Sequence, residues 1–485
     1  MFCPKCGIKN ADGAVFCMNC GNSLQVINNS NPQNSQVTPS QTPYVPPQDQ
    51  YIGYSPQAPH KSKKGLIVGF IIGGAALIAT VIVVIPQLNG VVPSQTTNAS
   101  AYNASIIPNE NTERKSSDWV IETVDSTGDV GEFPSLAVDE SGHPHIAYHD
   151  LTNGMIKYAY YNGTDWSIQS VAKPTYDRYG ADAGNNSIAL DGSGRPYICY
   201  ATAEELYFYT FWDGSSWSPP VHIPSYLPSA PSVAILGQNS IAVDKLTNKV
   251  YISISDCVTV PGHPYIGDVL SYWDSSQSDF TMVDYSEQKE EADFMYRTGT
   301  RNTIALDSKG NPHIVYDQEF YSVLNPPDNR DWVIKIADWD GKQWVKSTIA
   351  PFVGVDSSEH RFQISLKYDS KNYPHIAYYN GVAGGYQYAY WNGSSWVIST
   401  ICEYGSVGWE SISMDLDSND NPHIAALAGG YQLLYATLDG DKWTTEIVDS
   451  GSISECELAV GKDGAVNIAY YNSTNFDLKY ARLNP

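Results

Sequence analysis

From residue 118 onward, apolar and polar positions alternate in short runs bounded by Asp, Gly, Asn and Pro, the period-two pattern of half-buried strands. The runs recur as a unit. SLAVD (Ser135–Asp139) leads through a D-x-x-G-x-P turn into HIAY (His145–Tyr148), then into an LKYAY-like run and a last run opening on tryptophan. Copies of the first run are SIALD from Ser187, SIAVD from Ser240, TIALD from Thr303, SLKYD from Ser365, SMDLD from Ser413 and ELAVG from Glu457. Seven units of roughly 50 residues predict an all-β, seven-bladed β-propeller, each unit supplying one four-stranded blade.

The seventh unit ends at Leu483-Asn484-Pro485, before its outer strand. The missing strand stands at the start of the domain, where Trp119-Val-Ile-Glu-Thr-Val-Asp-Ser126 matches Trp443-Thr-Thr-Glu-Ile-Val-Asp-Ser450. An N-terminal strand that completes the last blade closes the ring and leaves no sheet edge open there. Hairpins such as Trp212-Asp-Gly-Ser-Ser-Trp217, Trp339-Asp-Gly-Lys-Gln-Trp344 and Trp391-Asn-Gly-Ser-Ser-Trp396 carry the Asp-Gly or Asn-Gly pair that a tight turn requires. Their tryptophans are expected to pack between blades.

Ahead of the repeats the pattern changes. Gly65 to Pro86 is an apolar run without one charge, and about 20 such residues are enough for a helix to cross a bilayer core. Lys61, Lys63 and Lys64 flank its N-terminal side, so the positive-inside rule predicts a single-pass protein of the cell membrane with a cytoplasmic N-terminus and an extracellular propeller. The expected organisation is a cysteine-rich module at 1–24, a Pro/Gln/Asn-rich disordered linker at 25–64, a transmembrane helix at 65–86, an extracytoplasmic stalk at 87–117 and the propeller at 118–485. Five Lys and two Asp precede the span, so 23 basic and 50 acidic residues, a balance of −27, fall beyond it. Such a field disfavours nucleic acid and favours cations or basic partners.

Cys3-Pro-Lys-Cys6-Gly and Cys17-Met-Asn-Cys20-Gly form two CxxC knuckles ten residues apart. Four thiolates at Cys3, Cys6, Cys17 and Cys20 suit one tetrahedral, structural Zn2+, with no coordination position left for hydrolytic chemistry. The segment from Phe2 to about Leu24 resembles the small zinc-ribbon family found at the N-termini of many prokaryotic membrane proteins. The closed coordination sphere argues for a structural role or a protein contact, expected on the cytoplasmic side of the span.

In a propeller the D-x-x-G-x-P turns and the Asp-Gly hairpins fall on one face, and the longer, variable loops fall on the other, the expected binding face. These loops include 173–186, 284–302, 317–331 and 351–361. Candidate ligand-binding residues on them are Tyr176, Asp177, Arg178, Tyr179, Arg297, Arg301, Glu359 and Arg361, a mixture suited to polar polymers such as glycans. His145, His313, His375 and His423 follow the turn proline in different blades, so they read as blade-stabilising hydrogen-bond partners rather than as ligands of one ion. The repeated aspartates read as turn residues. Cys199, inside the run Tyr197-Ile-Cys-Tyr200, reads as a buried free thiol.

The D-G-S-S-W hairpins resemble the Asp-box (BNR-type) repeats of sialidase-like propellers across Asp118 to Pro485. They lack the residue between Asp and Gly and the preceding Ser of that box. The resemblance implies a glycan-directed fold with converging arginines, for which Arg178, Arg297, Arg301 and Arg361 are candidates. The resulting expectation is a membrane-anchored surface binding or sensing protein with a glycan or protein ligand outside, bilayer lipid around its span and a protein partner for the ribbon inside; the alternative is a surface glycosidase or lyase. A module of about 24 residues has no core without its metal. Chelation of zinc is therefore expected to collapse the proton NMR dispersion of residues 1–24, and a spectrum that stays dispersed would contradict the zinc assignment.

Overall fold

The structure, a computed structural model of the chain, describes residues 118–485 apart from 175–185, 203–205, 225–237, 260–265, 286–293, 323–329, 352–360, 381–384, 404–408 and 430. The expected ribbon, linker, span and stalk lie outside the described residues, among which no helix is long and apolar enough to cross a membrane. Seven four-stranded antiparallel sheets follow one another along the chain. Their innermost strands are Val130–Val138, Asn186–Leu190, Asn239–Val243, Phe294–Leu306, Ile364–Tyr368, Ile412–Leu416 and Ile453–Val460, here numbered as blades 1 to 7.

The ring closes as the sequence pattern requires. Trp119–Asp125 pairs antiparallel with Asp477–Leu483, in the register Trp119↔Leu483 to Thr123↔Lys479, and becomes the outer strand of blade 7. In blades 1 to 6 the turn after the inner strand is built on its aspartate. The Asp139 carboxylate accepts the backbone N–H groups of Ser141 and His143, and Asp191, Asp307, Asp369 and Asp417 repeat this pattern. The turns pass through the left-handed region at Gly142, Gly194, Gly310 and Gly464, or at Asn248, Asn372 and Asp420, the residue types that tolerate a positive φ.

Between blades the core is aliphatic and aromatic. The tryptophan that opens a fourth strand meets, edge to face, a third-strand tyrosine of the preceding blade, as in Trp217 on Tyr158, Trp344 on Tyr272, Trp443 on Tyr388 and Trp166 on Tyr480, at centroid distances of 5.1–5.3 Å. Such pairs add about 0.5–1.5 kcal/mol each beyond burial. The closing strand uses the same device, with Trp119 at 5.3 Å from Tyr435. Several indole N–H groups also donate to a neighbouring blade, among them Trp217 to Gln169 and Trp443 to Ser399.

Three outer strands end on an aspartate that receives the next blade. Asp125, Asp284 and Asp449 accept the hydroxyls of buried Tyr148, Tyr316 and Tyr470 at 2.6–2.8 Å and the ammonium groups of Lys157, Lys335 and Lys479 at 2.7–3.2 Å. Burial by itself would raise these carboxyls, but the tyrosine and lysine partners at Asp125 and Asp449, and Lys335 with Lys346 at Asp284, outweigh it and hold all three below the ordinary value of 3.8.

In blades 3 and 4 the strands run further than the sequence pattern implies. Val250–Thr259 and Ile266–Asp274 extend into an expected loop, as do Phe294–Leu306, Pro312–Ser322 and Arg330–Trp339. Arg297 and Arg301 therefore belong to a strand, a correction to their placement on a loop; the cause is ladder pairing of these polar stretches, Arg297↔Glu319 among them. A folded carboxyl value below the unfolded 3.8 contributes stability that is complete above that pH and lost as pH falls below it. The thermal midpoint is thus expected to drop on acidification through this range. Tyr316→Phe, which removes one bond to Asp284, should lower unfolding stability by about 1 kcal/mol in guanidinium titrations at neutral pH.

Candidate functional site at the propeller axis

The first residue of each repeat faces the neighbouring inner strand near the axis, and in six blades it is a hydroxyl residue. Ser135, Ser187, Ser240, Ser365 and Ser413 each accept a backbone N–H of the next blade at 2.9–3.2 Å, from Ile188, Ile241, Ile304, Met414 and Leu458. Thr303 donates to the Ile364 carbonyl instead. These links are architectural. In blade 7 the same position is Glu457.

Two residues further on, five blades carry alanine, at 137, 189, 242, 305 and 459, as the narrow waist of a ring demands. Blades 5 and 6 carry Lys367 and Asp415. Their side chains pair at 3.4 Å while keeping 38% and 21% of their surface exposed, and the second Asp415 oxygen accepts the Val460 N–H at 2.9 Å. Three consecutive blades thus depart from the repeat, and their departing side chains interact. The ammonium of Lys367 is held above its ordinary range, because Asp415 and Glu457 outweigh the opposing effect of burial. Glu457 is pushed up to about 7, chiefly by burial and further by Asp415, with Lys367 and the Ser413 hydroxyl offsetting part of the rise.

Beside this cluster lies a cavity of about 100 Å³ lined by inner-strand residues of all seven blades, which places it on the axis. Its polar lining comprises the hydroxyls of Ser135, Ser187, Ser240, Thr303 and Ser365, the amides of Asn186, Gln238, Asn239, Asn302 and Gln363, and Glu457, the one carboxyl among the described lining residues. The lining residues open the repeat in each blade or stand one or two positions ahead of it. A volume of this size holds several waters or one small polar group. Asn302 is fully engaged, donating to the carbonyls of Gln238 and Gly299 and accepting from Ser253. Asn186 is 7% exposed and donates to the Phe133 carbonyl at 2.8 Å, whereas its buried Oδ1 meets no donor.

Of the residues expected from sequence to bind ligand, Tyr176, Asp177, Arg178, Tyr179 and Glu359 lie outside the described residues, and Arg361 is described only as backbone paired with Trp409. Arg297 and Arg301 come together on the extended inner strand of blade 4. Arg301 binds Asp317 through its guanidinium at 2.8 Å and its backbone N–H at 2.9 Å, and lies 4.9 Å over the Trp332 ring; Arg297 approaches Glu319 at 4.0 Å. Burial dominates at Asp317 and pushes its carboxyl up despite Arg301. This arrangement buttresses the blade next to the axis.

The histidines behave as hydrogen-bond partners within their blades. His145, His375 and His423 meet Tyr158, Tyr388 and Tyr435 at 2.5–2.6 Å, and His313 meets Asp338 at 2.6 Å. Among the described residues no group of three or more His, Cys, Asp or Glu converges as metal ligands. Cys199 and Cys456 are buried free thiols, and Cys402 is a partly buried one.

Glu457, Lys367 and Asp415 escaped the sequence reading although their runs were in view. SLKYD and SMDLD read as ordinary copies of the repeat and ELAVG as a weaker one, and the signal was the departure itself: a charge where the other blades hold a hydroxyl or a methyl group.

Comparison with known proteins adds the following. The family model of the zinc-ribbon domain matches residues 2–24. No curated protein matches the chain in sequence. Among solved structures, a polysaccharide lyase titled as an ulvan lyase is similar at 12% identity and TM-score 0.49, covering 74% of this chain and 93% of its own. The fucose-specific lectin of Aleuria aurantia is similar at 13% identity and TM-score 0.41, over 66% of this chain and 96% of its own. A Hadza microbial sialidase is similar at 10% identity and TM-score 0.40, over 70% and 73% respectively.

A glutamate whose folded value of about 7 exceeds its unfolded 4.5 costs stability progressively as pH rises between the two, and fully above about 7. Glu457→Gln is accordingly expected to stabilise the protein above pH 7 by on the order of 2 kcal/mol, with little effect below 4.5. Thermal melts of both proteins across that range check the sign.

Proposed function

We propose that the protein is a membrane-anchored surface binding protein whose propeller holds a carbohydrate ligand at its axial cavity. The observation that carries this reading is the lining of that cavity by amides, hydroxyls and a single carboxyl, gathered from all seven blades. Neutral amide and hydroxyl groups in a concave, preformed site exchange hydrogen bonds with a sugar's hydroxyls in both directions, whereas a fully apolar or strongly charged site would not. The segment 175–185 enters the inner strand of blade 2 at Asn186, a lining residue, so Tyr176, Asp177, Arg178 and Tyr179 precede the site directly in the chain. These four, with Glu359 and Arg361 ahead of Gln363, are the proposed rim.

Display outside the cell follows from the uncharged run at 65–86 and its lysine flank, and the CxxC pairs at 2–24 supply a zinc-stabilised ribbon for a cytoplasmic protein contact. The test has two arms. Protease added to intact cells is expected to remove the propeller and spare the ribbon, and protection of the propeller would refute surface display. The full chain in detergent is expected to retain a subset of sugars on a glycan array, with Gln363→Ala weakening retention about tenfold through loss of a hydrogen-bond partner in the lining. Absence of any retained sugar would refute the ligand class, and turnover of a retained sugar would move the reading to a surface glycosidase or lyase.

A further inference from the structure

We infer that the axial cavity takes a primary ammonium group beside Glu457, so that the carbohydrate preferred is one bearing free amino groups. This rests on the reading of the cavity as a carbohydrate site and names the substrate class within it.

The repeat is the internal control. Six blades show that a hydroxyl suffices at this position for the architecture, so a carboxyl there answers to something other than ring building. The groups facing Glu457 leave it short of positive charge. Lys367 is shared with Asp415 at 3.4 Å, and Ser413 offers a neutral hydroxyl. Further up the same strand, Glu455 is spent on the backbone N–H of Phe133, a lining residue, and Arg301 across the ring is bound to Asp317. One cation thus stands against two nearby carboxyls, and the incoming ligand is the remaining source of countercharge.

The lining also has acceptors in excess. Asn186, nine-tenths buried in the same cavity, uses its donor on Phe133 while its Oδ1 meets none. An ammonium has three donors and no acceptor, which complements a carboxylate set among carbonyl and hydroxyl oxygens. A divalent cation is held best where several carboxylates converge, and among the described residues no group of three or more His, Cys, Asp or Glu does so. Burial pushes the carboxyl of Glu457 toward neutrality, as expected for an acid awaiting a partner. The excess of acidic residues beyond the apolar run draws the same class of ligand from solution.

The test compares chitosan oligomers, which carry free amines, with their fully N-acetylated counterparts and with calcium chloride, by calorimetry on the full chain in detergent at mildly acidic pH, where those amines are protonated. The amine-bearing oligomer is expected to bind at least about tenfold more tightly, the scale of one charge-assisted hydrogen bond. Glu457→Gln is expected to bring the ratio between the two oligomers close to one. Glu457→Ser, which restores the residue type of the other blades, should do the same and guards against a folding defect peculiar to one variant. Equal affinity of the wild type for both oligomers, a preference that survives both substitutions, or calcium binding that depends on Glu457 would each overturn the inference. If neither oligomer binds it is overturned as well, and the array then decides separately whether the cavity takes other sugars.

Discussion

Everything in this domain depends on closing a ring of sheets with a chain that has two ends. Closure is made on the outside, where Trp119–Asp125 hydrogen-bonds along Asp477–Leu483, and the junction is reinforced on every level. Val130 donates to the Phe476 carbonyl, Tyr471 reaches Asp129, Lys157 and Tyr148 meet Asp125, and Arg482 reaches the Gly142 carbonyl and Asp463. At this same junction the inner hydroxyl link is missing, because blade 7 carries Glu457. A seam held by a complete outer ladder can release its innermost position from structural duty, and that position then faces the axis with a titratable group.

The acidic residues of the propeller serve two purposes. Asp139 and its counterparts satisfy turn N–H groups, and Asp125, Asp284 and Asp449 collect a tyrosine and a lysine from the next blade. These carboxylates are stabilised in their charged form by donors that the repeat supplies each time. Glu457 differs in kind. Its surroundings favour the neutral acid, and Lys367 and the Ser413 hydroxyl compensate its charge only in part. Two carboxyls near the axis are raised instead, Asp317, which is bound directly by the Arg301 guanidinium, and Glu457, which is not bound by an arginine.

The extended strands of blades 3 and 4 carry the same logic to the face of the longer loops. Arg301 is immobilised between Asp317 and the Trp332 ring, which removes it from the group of free loop arginines and makes it part of the wall beside the cavity. The guanidinium has value there because its planar donors fix the carboxylate and its face covers the indole. The sialidase-like expectation of converging arginines finds two of them on one strand, each already turned toward a carboxylate of the adjacent strand.

Strand number, blade count, the closing strand and the turn chemistry were all legible in the amino-acid sequence, because each follows from local pattern: alternation sets the faces, Asp and Gly set the turns, and the match of residues 119–126 to 443–450 reveals the closure. The axial site was not legible in that way. Glu457, Lys367 and Asp415 are separated by some forty residues at each step, and only the curvature of the ring brings their side chains into one volume. Loop or strand in blades 3 and 4 was likewise a tertiary decision, since polar segments such as Arg297–Thr298 become strand only when Gln318–Glu319 lies beside them to take their hydrogen bonds. The sequence by itself determined which positions repeat; the tertiary structure decided which departures from the repeat meet, because proximity across a ring is a property of closure and not of any single blade.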